Sequence, residues 1–385
     1  MNLLKRFLIY LGILLVIGGL AAYHVLTDFA STPYPPDMTL EVFHPETPGN
    51  IPEHRVWQPK YPVIDIHSHP QESGKTPDEL IKVMDASGVR AIVDLDGHWG
   101  WTGHRIKRKL EEYNLKYPGR FILFTKIDFG RYKNPDFVEE TLQRLEESVR
   151  WGVKGVKIWK NLGMMYRDAN GNLIPLDDPR LDPIWEKIGE LGIPVLIHTA
   201  DPVAFWQPVD RFNERYEELT EGGSWFDSYA NGDYPSFETL MKQRENLLRK
   251  HPNTIFIGAH MAELGHDLKR LGRMLDEFPN FYVDISDRAY ELGRQPYTAR
   301  EFFIQYQDRI LFGIDLYPET HVYQDYYRFF QTEDEYFDYP RYYYKHGRWK
   351  IYGLNLPDSV LQKVYYLNAV KILRLDRKLI ENPSS

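Results

Sequence analysis

The chain has 385 residues, a formal net charge of −8 and no cysteine. Its 43% of hydrophobic and 26% of charged residues are typical of a globular protein and not of a disordered one. The absence of cysteine excludes disulfides, thiolate metal sites and cysteine nucleophiles. The acidic balance, without a dense basic run, argues against a nucleic-acid partner.

The N-terminal segment predicts a membrane anchor or a signal peptide. Two basic residues precede the almost wholly apolar run Phe7–Leu26, and twenty helical residues span roughly 30 Å, the hydrocarbon thickness of a bilayer. The basic flank favours a cytoplasmic N-terminus and export of the rest of the chain. The small residues Ala21 and Ala22 keep a cleaved signal peptide as the alternative. We expect residues 1–28 to be this anchor or signal and the Pro-rich residues 29–61 to be a linker.

From residue 62 onward, short apolar runs alternate with amphipathic stretches. Strands that alternate with helices pair in parallel through right-handed crossovers. Eight such units over residues 62–385 predict an α/β fold of the (β/α)8 TIM-barrel type, with a doubly wound open sheet as the alternative. Long insertions, Asp201–Pro235 and Leu316–Pro357, follow the fifth and eighth predicted strands. The predicted strands are Val63–His67, Arg90–Leu95, Phe121–Ile127, Val153–Trp159, Pro194–His198, Thr254–His260, Asn280–Ile285 and Arg309–Ile314.

Metal-binding residue types stand at the ends of four predicted strands. The first strand ends in His67 and His69, whose imidazoles share one face because side chains alternate along a strand. His198 closes the fifth strand and His260 the sixth, while Asp315 follows the eighth. The carboxyl ends of all strands meet at one mouth of a barrel, so these groups should converge. Imidazole and carboxylate groups are common ligands of divalent cations, and we therefore predict a metal centre.

These residues resemble those of the amidohydrolase superfamily, specifically the amidohydrolase-related branch that also contains metal-dependent decarboxylases and hydratases. The resemblance covers Pro62–Leu375. The resemblance implies one divalent metal ion, most often zinc, with a second ion as the alternative. It also implies that Asp315 is both ligand and general base, and that His260 polarises the substrate or completes a second metal site. The implied ligands of the first ion are His67, His69, His198 and Asp315.

Two departures from the family pattern concern the fourth and eighth strands. Ile314 replaces the small residue that relatives often carry before the aspartate, and the following proline is delayed to Pro318. Binuclear relatives have a bridging carbamylated lysine at the end of the fourth strand, where this chain offers Lys157 and Lys160. Lys157 could bridge two metals, bind a substrate carboxylate as an ammonium group, or pair with a neighbouring carboxylate inside the barrel.

The residues and the resemblance together favour an exported, membrane-tethered, metal-dependent hydrolase. A divalent cation lowers the pKa of bound water to about 7. Asp315 would accept a proton from this water during attack on an amide, ester or lactone. The first alternative is a decarboxylase or lyase on the same barrel, in which Asp315 protonates carbon. The second is a non-catalytic binding protein, which would typically have lost ligands, and none is missing here.

The predicted substrate is a small molecule for which an acidic group is an option. Lys157 and His98, which follows the second strand, are predicted contacts. Trp206 and Arg211 in the first insertion are two more, since an aromatic platform beside an arginine suits a flat or sugar-like acid. A lid that packs its own small core explains the aromatic residues as well. The tyrosine-dense stretch Tyr323–Tyr352 is expected to extend the cleft or to mediate a homodimer contact.

Two further carboxylate-bearing strand ends carry weaker signals. Asp284 and Asp287 follow the seventh strand, where capping of the next helix is the default expectation and support of the site is the alternative. Lys126 and Asp128 close the third strand, and an internal ion pair explains them as well as a place in the substrate pocket.

Overall fold

The computed structural model divides the chain into two units, Met1–Asn50 and Ile51–Ser385. In the first unit, helix α1 (Leu3–Ala30) contains the segment Leu3–Val25, which has a mean hydropathy of 2.1 and no buried portion. By length and composition, this helix is consistent with a transmembrane or signal segment. Most of the predicted linker lies outside the described residues. The structure describes residues 2–30, 39, 49–95, 104–221, 229, 232–340 and 346–381.

The second unit is a (β/α)8 barrel. Its strands are β1 (Val63–Ser68), β2 (Val89–Asp94), β3 (Phe121–Lys126), β4 (Gly155–Ile158), β5 (Val195–Ile197), β6 (Phe256–Gly258), β7 (Phe281–Asp284) and β8 (Ile310–Leu311). Each strand pairs in parallel with its sequence neighbours, in the order β1 to β8. The backbone N–H of Ile66 donates to the carbonyl of Phe312 at 3.0 Å, and that of Asp315 donates to the carbonyl of His67 at 2.8 Å. These bonds join the chain after β8 to β1, and they exclude the open-sheet alternative.

Helices alternate with the strands, as the amphipathic stretches predict. The glycines that end three of them, Gly88, Gly152 and Gly192, have positive φ values of 69°, 113° and 67°, which is why glycine is favoured there. The helices are α2 (Pro77–Ser87), α3 (His104–Lys116), α4 (Phe137–Trp151), α5 (Asn161–Met164), α6 (Asp182–Leu191), α7 (Tyr216–Glu221), α8 (Phe237–Lys250), α9 (Ala259–Ala262), α10 (Leu268–Glu277), α11 (Ala289–Gly293), α12 (Pro296–Gln305), α13 (Thr320–Gln331), α14 (Asp358–Gln362), α15 (Asn368–Leu373) and α16 (Arg377–Glu381), with a π-helical segment, Lys363–Leu367, between α14 and α15.

The register of β3 and β4 sets which side chains share the barrel interior. Phe124 pairs with Gly155, and Lys126 pairs with Lys157. A Cβ atom on Gly155 would come within 2.3 Å of the Phe124 ring, so only glycine lets this ring cross the neighbouring strand. Because side chains alternate along a strand, the two lysines lie on the same face as this ring, nearer to the mouth.

The insertions after β5 and β8 lie at the carboxyl ends of the strands. The first contains the 3₁₀ turn Val203–Trp206 and α7, and the second contains α13. Tyr323, Tyr326 and Tyr327 of α13 are fully buried, so this part of the tyrosine-dense stretch packs against the barrel core.

The two insertions meet in a buried ionic cluster, which we call the clasp (Arg215, Glu218, Asp287 and His346). Arg215 forms an ion pair with Glu218. Nδ1 of His346 lies 3.0 Å from Nη2 of Arg215 and 3.3 Å from Oε1 of Glu218. Nε2 of His346 lies 3.1 Å from Oδ1 of Asp287, which follows β7. The clasp therefore ties both insertions to the rim of the barrel.

Candidate metal centre

His67, His69 and Asp315 come together where the chain after β8 meets β1. Nε2 of His67 and Nε2 of His69 lie 3.1 and 3.0 Å from Oδ1 of Asp315. Gly313 permits this approach, because a Cβ atom there would lie 2.8 Å from Cβ of His67. Asp315 itself has a φ of 58°, a left-handed conformation that turns its carboxylate toward the histidines. Three of the four predicted ligands are thus direct neighbours.

Asp65 connects β1 to the chain after β8 by hydrogen bonds next to these groups. Its carboxylate accepts hydrogen bonds from the backbone N–H of His67 at 3.1 Å and of Ile314 at 3.3 Å. The hydroxyl of Tyr323 in α13 donates to the other oxygen at 2.8 Å. Burial raises the pKa of Asp65 to about 7, although these hydrogen bonds oppose the rise. The arrangement locks the position of His67 relative to Asp315.

His260 and His198 occupy the other side of the mouth. Nε2 of His260 lies 3.6 Å from Oδ2 of Asp315. The ring centroid of His198 lies 4.5 Å from that of His260, and its Nε2 lies 3.4 Å from Oε1 of Glu263. The fourth predicted ligand, His198, therefore contacts His260, and His260 in turn lies next to Asp315.

The polar groups that follow β7 orient two of the histidines. Nδ1 of His67 lies 2.9 Å from Oδ2 of Asp284 and 2.9 Å from the hydroxyl of Ser286. The backbone N–H of His260 donates to Oδ1 of Asp284 at 2.9 Å. Burial raises the pKa of Asp284, but His67 and His260 more than offset this and bring it to about 2. Asp284 thus supports the mouth, and the default expectation that it caps a helix is wrong.

These contacts determine which imidazole nitrogens face the mouth. Nδ1 of His260 lies 2.9 Å from the carbonyl of Ser286, which only accepts, so this nitrogen carries the proton. By the same reasoning the ionised Asp284 places the proton of His67 on Nδ1. In the neutral rings, the lone pairs of both Nε2 atoms therefore point toward Asp315.

The protonation states at the mouth suit metal ligands. Burial lowers the pKa of His260 to about 3 and that of His198 well below its usual value. Burial raises the pKa of Asp315, but protons on the imidazoles of His67 and His260 hold it well below its usual range. Metal binding needs the neutral imidazoles and the ionised carboxylate, so a divalent cation would take the place of the proton between these groups.

A divalent cation fits this set of donors. Within the described part of the chain, Nε2 of His198 and Oε1 of Glu263 are buried and have no hydrogen-bond partner. A buried polar atom without a partner is costly, and coordination to a cation would satisfy it. Three groups of potential ligand atoms, each within 4.8 Å of one another, lie at the mouth: His67, His69 and Asp315; His67, His260 and Asp284; and His198, His260 and Glu263.

The short segment α9 that follows β6 is a left-handed turn and not a regular right-handed helix, and it brings Glu263 to the mouth. Residues 260–263 all have φ values between 52° and 57°, a conformation that costs roughly 1–2 kcal/mol per residue. The bond from His260 to Asp284 holds one end of the turn, and an ion pair between Glu263 and Arg288 holds the other. Burial raises the pKa of Glu263 to about 8, opposed by Arg288. No sequence pattern marks this glutamate, because the turn depends on contacts with distant residues.

Lys157 lies between the metal-ligand candidates and the wall of the barrel. Its Nζ lies 3.1 Å from Nε2 of His67 and 5.2 Å from the ring centroid of Trp159. Burial lowers its pKa to about 8, although Asp315 and other carboxylates oppose the fall. Lys160 instead pairs with Asp201, whose oxygens lie 2.7 and 2.8 Å from its Nζ. Of the two lysines in the motif, Lys157 is the one at the site.

The remaining predicted substrate contacts lie elsewhere. Nε1 of Trp206 donates to the carbonyl of Pro235 at 2.9 Å, and its ring packs 4.9 Å from that of Tyr229 within the insertion. This is the small internal core of the insertion that the alternative explanation describes. Arg211 is exposed, with its guanidinium 4.8 Å from the ring of Phe212. Among the described residues, no hydrogen bond or ring contact joins Trp206 or Arg211 to the candidate ligands, and the predicted contact His98 lies outside the described residues.

A barrel with this mouth defines a class of enzymes, and the chain belongs to it. A family model described as Amidohydrolase matches residues 64–375, so the chain is a member of the amidohydrolase family. A search of curated proteins finds no match.

Solved structures with the same fold include three structures of decarboxylases. 2,6-Dihydroxybenzoate decarboxylase from Rhizobium is 18% identical, with a TM-score of 0.53 over 82% of this chain and 99% of its own. A 2,6-dihydroxybenzoate decarboxylase complexed with 2,6-dihydroxybenzoate is 18% identical, with a TM-score of 0.51 over 82% and 100%. A dihydroxybenzoic acid decarboxylase from Polaromonas sp. JS666, with bound manganese and 2-nitroresorcinol, is 17% identical, with a TM-score of 0.52 over 82% and 98%. At these identities the likeness establishes a shared fold.

Proposed function

We propose that the chain is a metal-dependent decarboxylase, or a related lyase, that acts on a small carboxylic acid. The observation that carries the proposal is Lys157, a buried cation 3.1 Å from a candidate metal ligand, His67. A carboxylate substrate needs positive charge to replace its hydration, and an ammonium group beside a bound cation supplies it. The dihydroxybenzoate decarboxylases that share the fold support decarboxylation over the hydrolysis that the sequence favours.

We infer that His67, His69 and Asp315 hold a divalent cation, with His198 and His260 beside them. When bound, the cation supplies a positive charge that orients the substrate carboxylate and stabilises negative charge. Zinc stays a prediction, and the manganese bound in the Polaromonas enzyme is the other candidate. A carbamylated Lys157 would point to a second ion, and the cluster of His198, His260 and Glu263 would then be its place.

Asp315 is the residue that we propose moves the proton. Its carboxylate borders the imidazoles of His67, His69 and His260, within 3.6 Å of each Nε2. In decarboxylation, Asp315 would first take up a proton from water and then pass it to the carbon that bears the carboxylate; the carbon–carbon bond breaks, carbon dioxide leaves, and Asp315 is left ionised again. His260 presents a lone pair, so we propose that it is a ligand or a proton acceptor and not a hydrogen-bond donor to the substrate.

The proposal is tested with the purified protein loaded with zinc or manganese. Aromatic and enoic acids would be assayed for release of carbon dioxide, and a parallel panel of esters, amides and lactones for hydrolysis. We expect metal-dependent release of carbon dioxide and about one equivalent of metal per chain. Replacement of His198 by Ala should abolish turnover while the circular dichroism spectrum stays unchanged. Hydrolysis without decarboxylation would overturn the proposal in favour of the hydrolase, and turnover by the metal-free protein would overturn both.

We also propose that the barrel is exported and tethered by α1. Lys5 and Arg6 precede the apolar segment, and a basic flank of this kind favours a cytoplasmic N-terminus. Protease added outside intact cells, after the outer envelope is opened where one exists, should degrade the barrel of the full-length chain. Protection of the barrel until the membrane is lysed would contradict this orientation.

A further inference from the structure

Arg244 in α8 is a fully buried arginine that forms no ion pair with any described residue. Its Nη1 donates to the backbone carbonyl of Ala262 at 2.8 Å, and its Nη2 lies 3.0 Å from Sδ of Met241. Burial lowers the pKa of Arg244 to about 10, although Glu263 opposes the fall, so the guanidinium carries its charge at neutral pH. The fold therefore holds a cation in its interior without a contacting carboxylate.

An uncompensated cation is an unfavourable way to fill this space. Arg244 packs among Met241, Met274 and the ring of Phe281, whose centroid lies 5.7 Å from Cζ of the guanidinium. Removal of a charge from water costs far more than such weak contacts offset. A methionine or leucine would fill the same space without this cost. Packing alone therefore does not explain the arginine.

The carbonyl that Arg244 binds belongs to the left-handed turn at the mouth, residues 260–263. Ala262 has a φ of 55°, in a run of four non-glycine residues with positive φ. Within the turn, the backbone N–H of Glu263 donates to the carbonyl of His260 at 3.0 Å. The carbonyl of Ala262 instead accepts from the guanidinium, and a charge-assisted hydrogen bond of this kind is stronger than a neutral one. Arg244 thus contacts the turn where its backbone is strained.

His260 and Glu263 lie on the two sides of Ala262 along the turn. Nε2 of His260 lies 3.6 Å from Oδ2 of Asp315, and Glu263 shares a group of potential ligand atoms with His260. The backbone dihedral angles of Ala262 determine how these two side chains are placed relative to each other. A contact that fixes Ala262 therefore bears on both of them.

We propose that Arg244 is a positioning residue, which holds Ala262 in the left-handed conformation so that His260 and Glu263 both face the mouth. Relaxation of Ala262 to the right-handed conformation, which an alanine prefers, would move one of the two side chains away. The link to the metal rests on the proposed function, since His260 lies beside the proposed cation. The conformation of the turn does not rest on it and is measured without metal.

The first measurement is hydrogen exchange in the metal-free full-length chain, by mass spectrometry of a peptide that contains residues 260–266. Arg244→Met keeps an unbranched side chain but loses the charge and the donor. Because a hydrogen bond to a charged group is lost, exchange in this peptide should be about tenfold faster. Ala262→Gly, added to Arg244→Met, should slow it again by about threefold, since glycine adopts the left-handed conformation without strain.

A matched control separates this role from a general loss of packing in α8. Leu247 is fully buried in the same helix, and Leu247→Ala should lower the midpoint of denaturant unfolding but leave exchange of the turn peptide unchanged. Arg244→Lys is a second variant in case Arg244→Met does not fold. Its side chain keeps the charge but is one atom shorter, so it should also speed the exchange, by less than methionine.

The second measurement is the affinity for zinc, by competition titration with a chelator. Loss of a group that orients a metal ligand typically lowers metal affinity by about 10–100-fold. We expect Arg244→Met to bind zinc about tenfold more weakly than the native protein, and Leu247→Ala to bind it as tightly.

Native exchange rates in the turn peptide of a folded Arg244 variant would overturn the proposal, whatever the zinc affinity. So would an equal increase in Leu247→Ala, because Arg244 would then serve packing alone. Faster exchange that Ala262→Gly does not slow would overturn the assignment to the conformation of Ala262. Faster exchange with native zinc affinity would overturn the link to the metal centre. A native protein that shows the expected exchange but binds no zinc would overturn the proposed function alone, so the two failures are distinguishable.

Discussion

The mouth of the barrel and the clasp between the insertions are both buried and polar, but their charges are arranged differently. In the clasp, Arg215 and His346 face the carboxylates of Glu218 and Asp287. At the mouth, by contrast, imidazole lone pairs face the ionised Asp315.

This difference indicates which buried polar groups serve the stability of the fold and which serve metal binding and turnover. Opposite charges in the clasp largely compensate each other, although Nη1 of Arg215 is buried and has no hydrogen-bond partner among the described residues, so removal of one charge should lower stability. Lone pairs that face a carboxylate repel it until a cation or a proton comes between them. We therefore expect substitutions at the mouth to change metal binding and turnover, and substitutions in the clasp to change the free energy of unfolding.

The largest effect is expected for Asp315→Asn. The amide retains the shape of the carboxylate but loses its charge and its ability to move a proton, so turnover should fall by about 10³-fold. Metal content, measured by mass spectrometry after dialysis, should fall as well. Near-native turnover in this variant would show that Asp315 neither binds the metal nor transfers the proton.

The next largest effect is expected for Glu218→Gln in the clasp. Removal of one partner from a buried ion pair leaves Arg215 uncompensated and should lower the free energy of unfolding by about 3 kcal/mol. Glu217→Gln is the matched control, because Glu217 pairs with Arg348 at the surface and exposed pairs contribute about 1 kcal/mol or less. Denaturant titration measures both. Equal losses in the two variants would contradict the distinction by burial, and so would a loss of metal in Glu218→Gln.

A smaller effect is expected for Asp284→Asn. This residue contacts no candidate substrate position but holds His67 at Nδ1, and loss of such a partner typically lowers metal affinity by about 10–100-fold. A competition titration with a chelator measures the affinity. Unchanged affinity would show that Asp284 serves the fold and not the metal centre.

The smallest effect concerns the pH dependence of the clasp. Burial and the neighbouring Arg215 lower the pKa of His346, but Asp287 and Glu218 outweigh them and raise the pKa above 6.5. Because the folded-state pKa exceeds that of the unfolded chain, the stabilisation is complete below pH 6.5 and is lost as the pH rises through the folded-state value.

The native protein should therefore exceed His346→Gln in stability by more at pH 5.5 than at pH 9. The two carboxylates stay ionised over this range, since the pKa of Glu218 and of Asp287 is lowered, burial being outweighed by His346 and its neighbouring arginines. Urea titrations at both pH values measure the difference. A gap that is constant with pH would contradict a protonated His346 in the clasp.

The candidate site was partly predictable because its histidines stand at the ends of apolar runs. His67 lies at the end of β1, while His69 and Asp315 follow strands whose pattern is visible in the sequence, and the barrel brings the three together. Asp284 carries the same local signal as a helix cap, so its place beside His67 depended on a contact across 217 positions of the chain. Trp206 and Arg211 belong to an insertion, where no periodic hydrophobic pattern predicts which way a side chain points.

The sequence by itself determined that the chain would form a barrel with an apolar N-terminal helix, because hydrophobic periodicity is a local property that each segment carries alone. Only the tertiary structure decided which lone pairs face Asp315 and which charges neutralise each other in the clasp. Those pairings arise when the chain after β8 hydrogen-bonds to β1 and the two insertions meet. The residues that form these pairs are far apart in the chain, so the distances between their side chains depend on how all the intervening strands and helices pack.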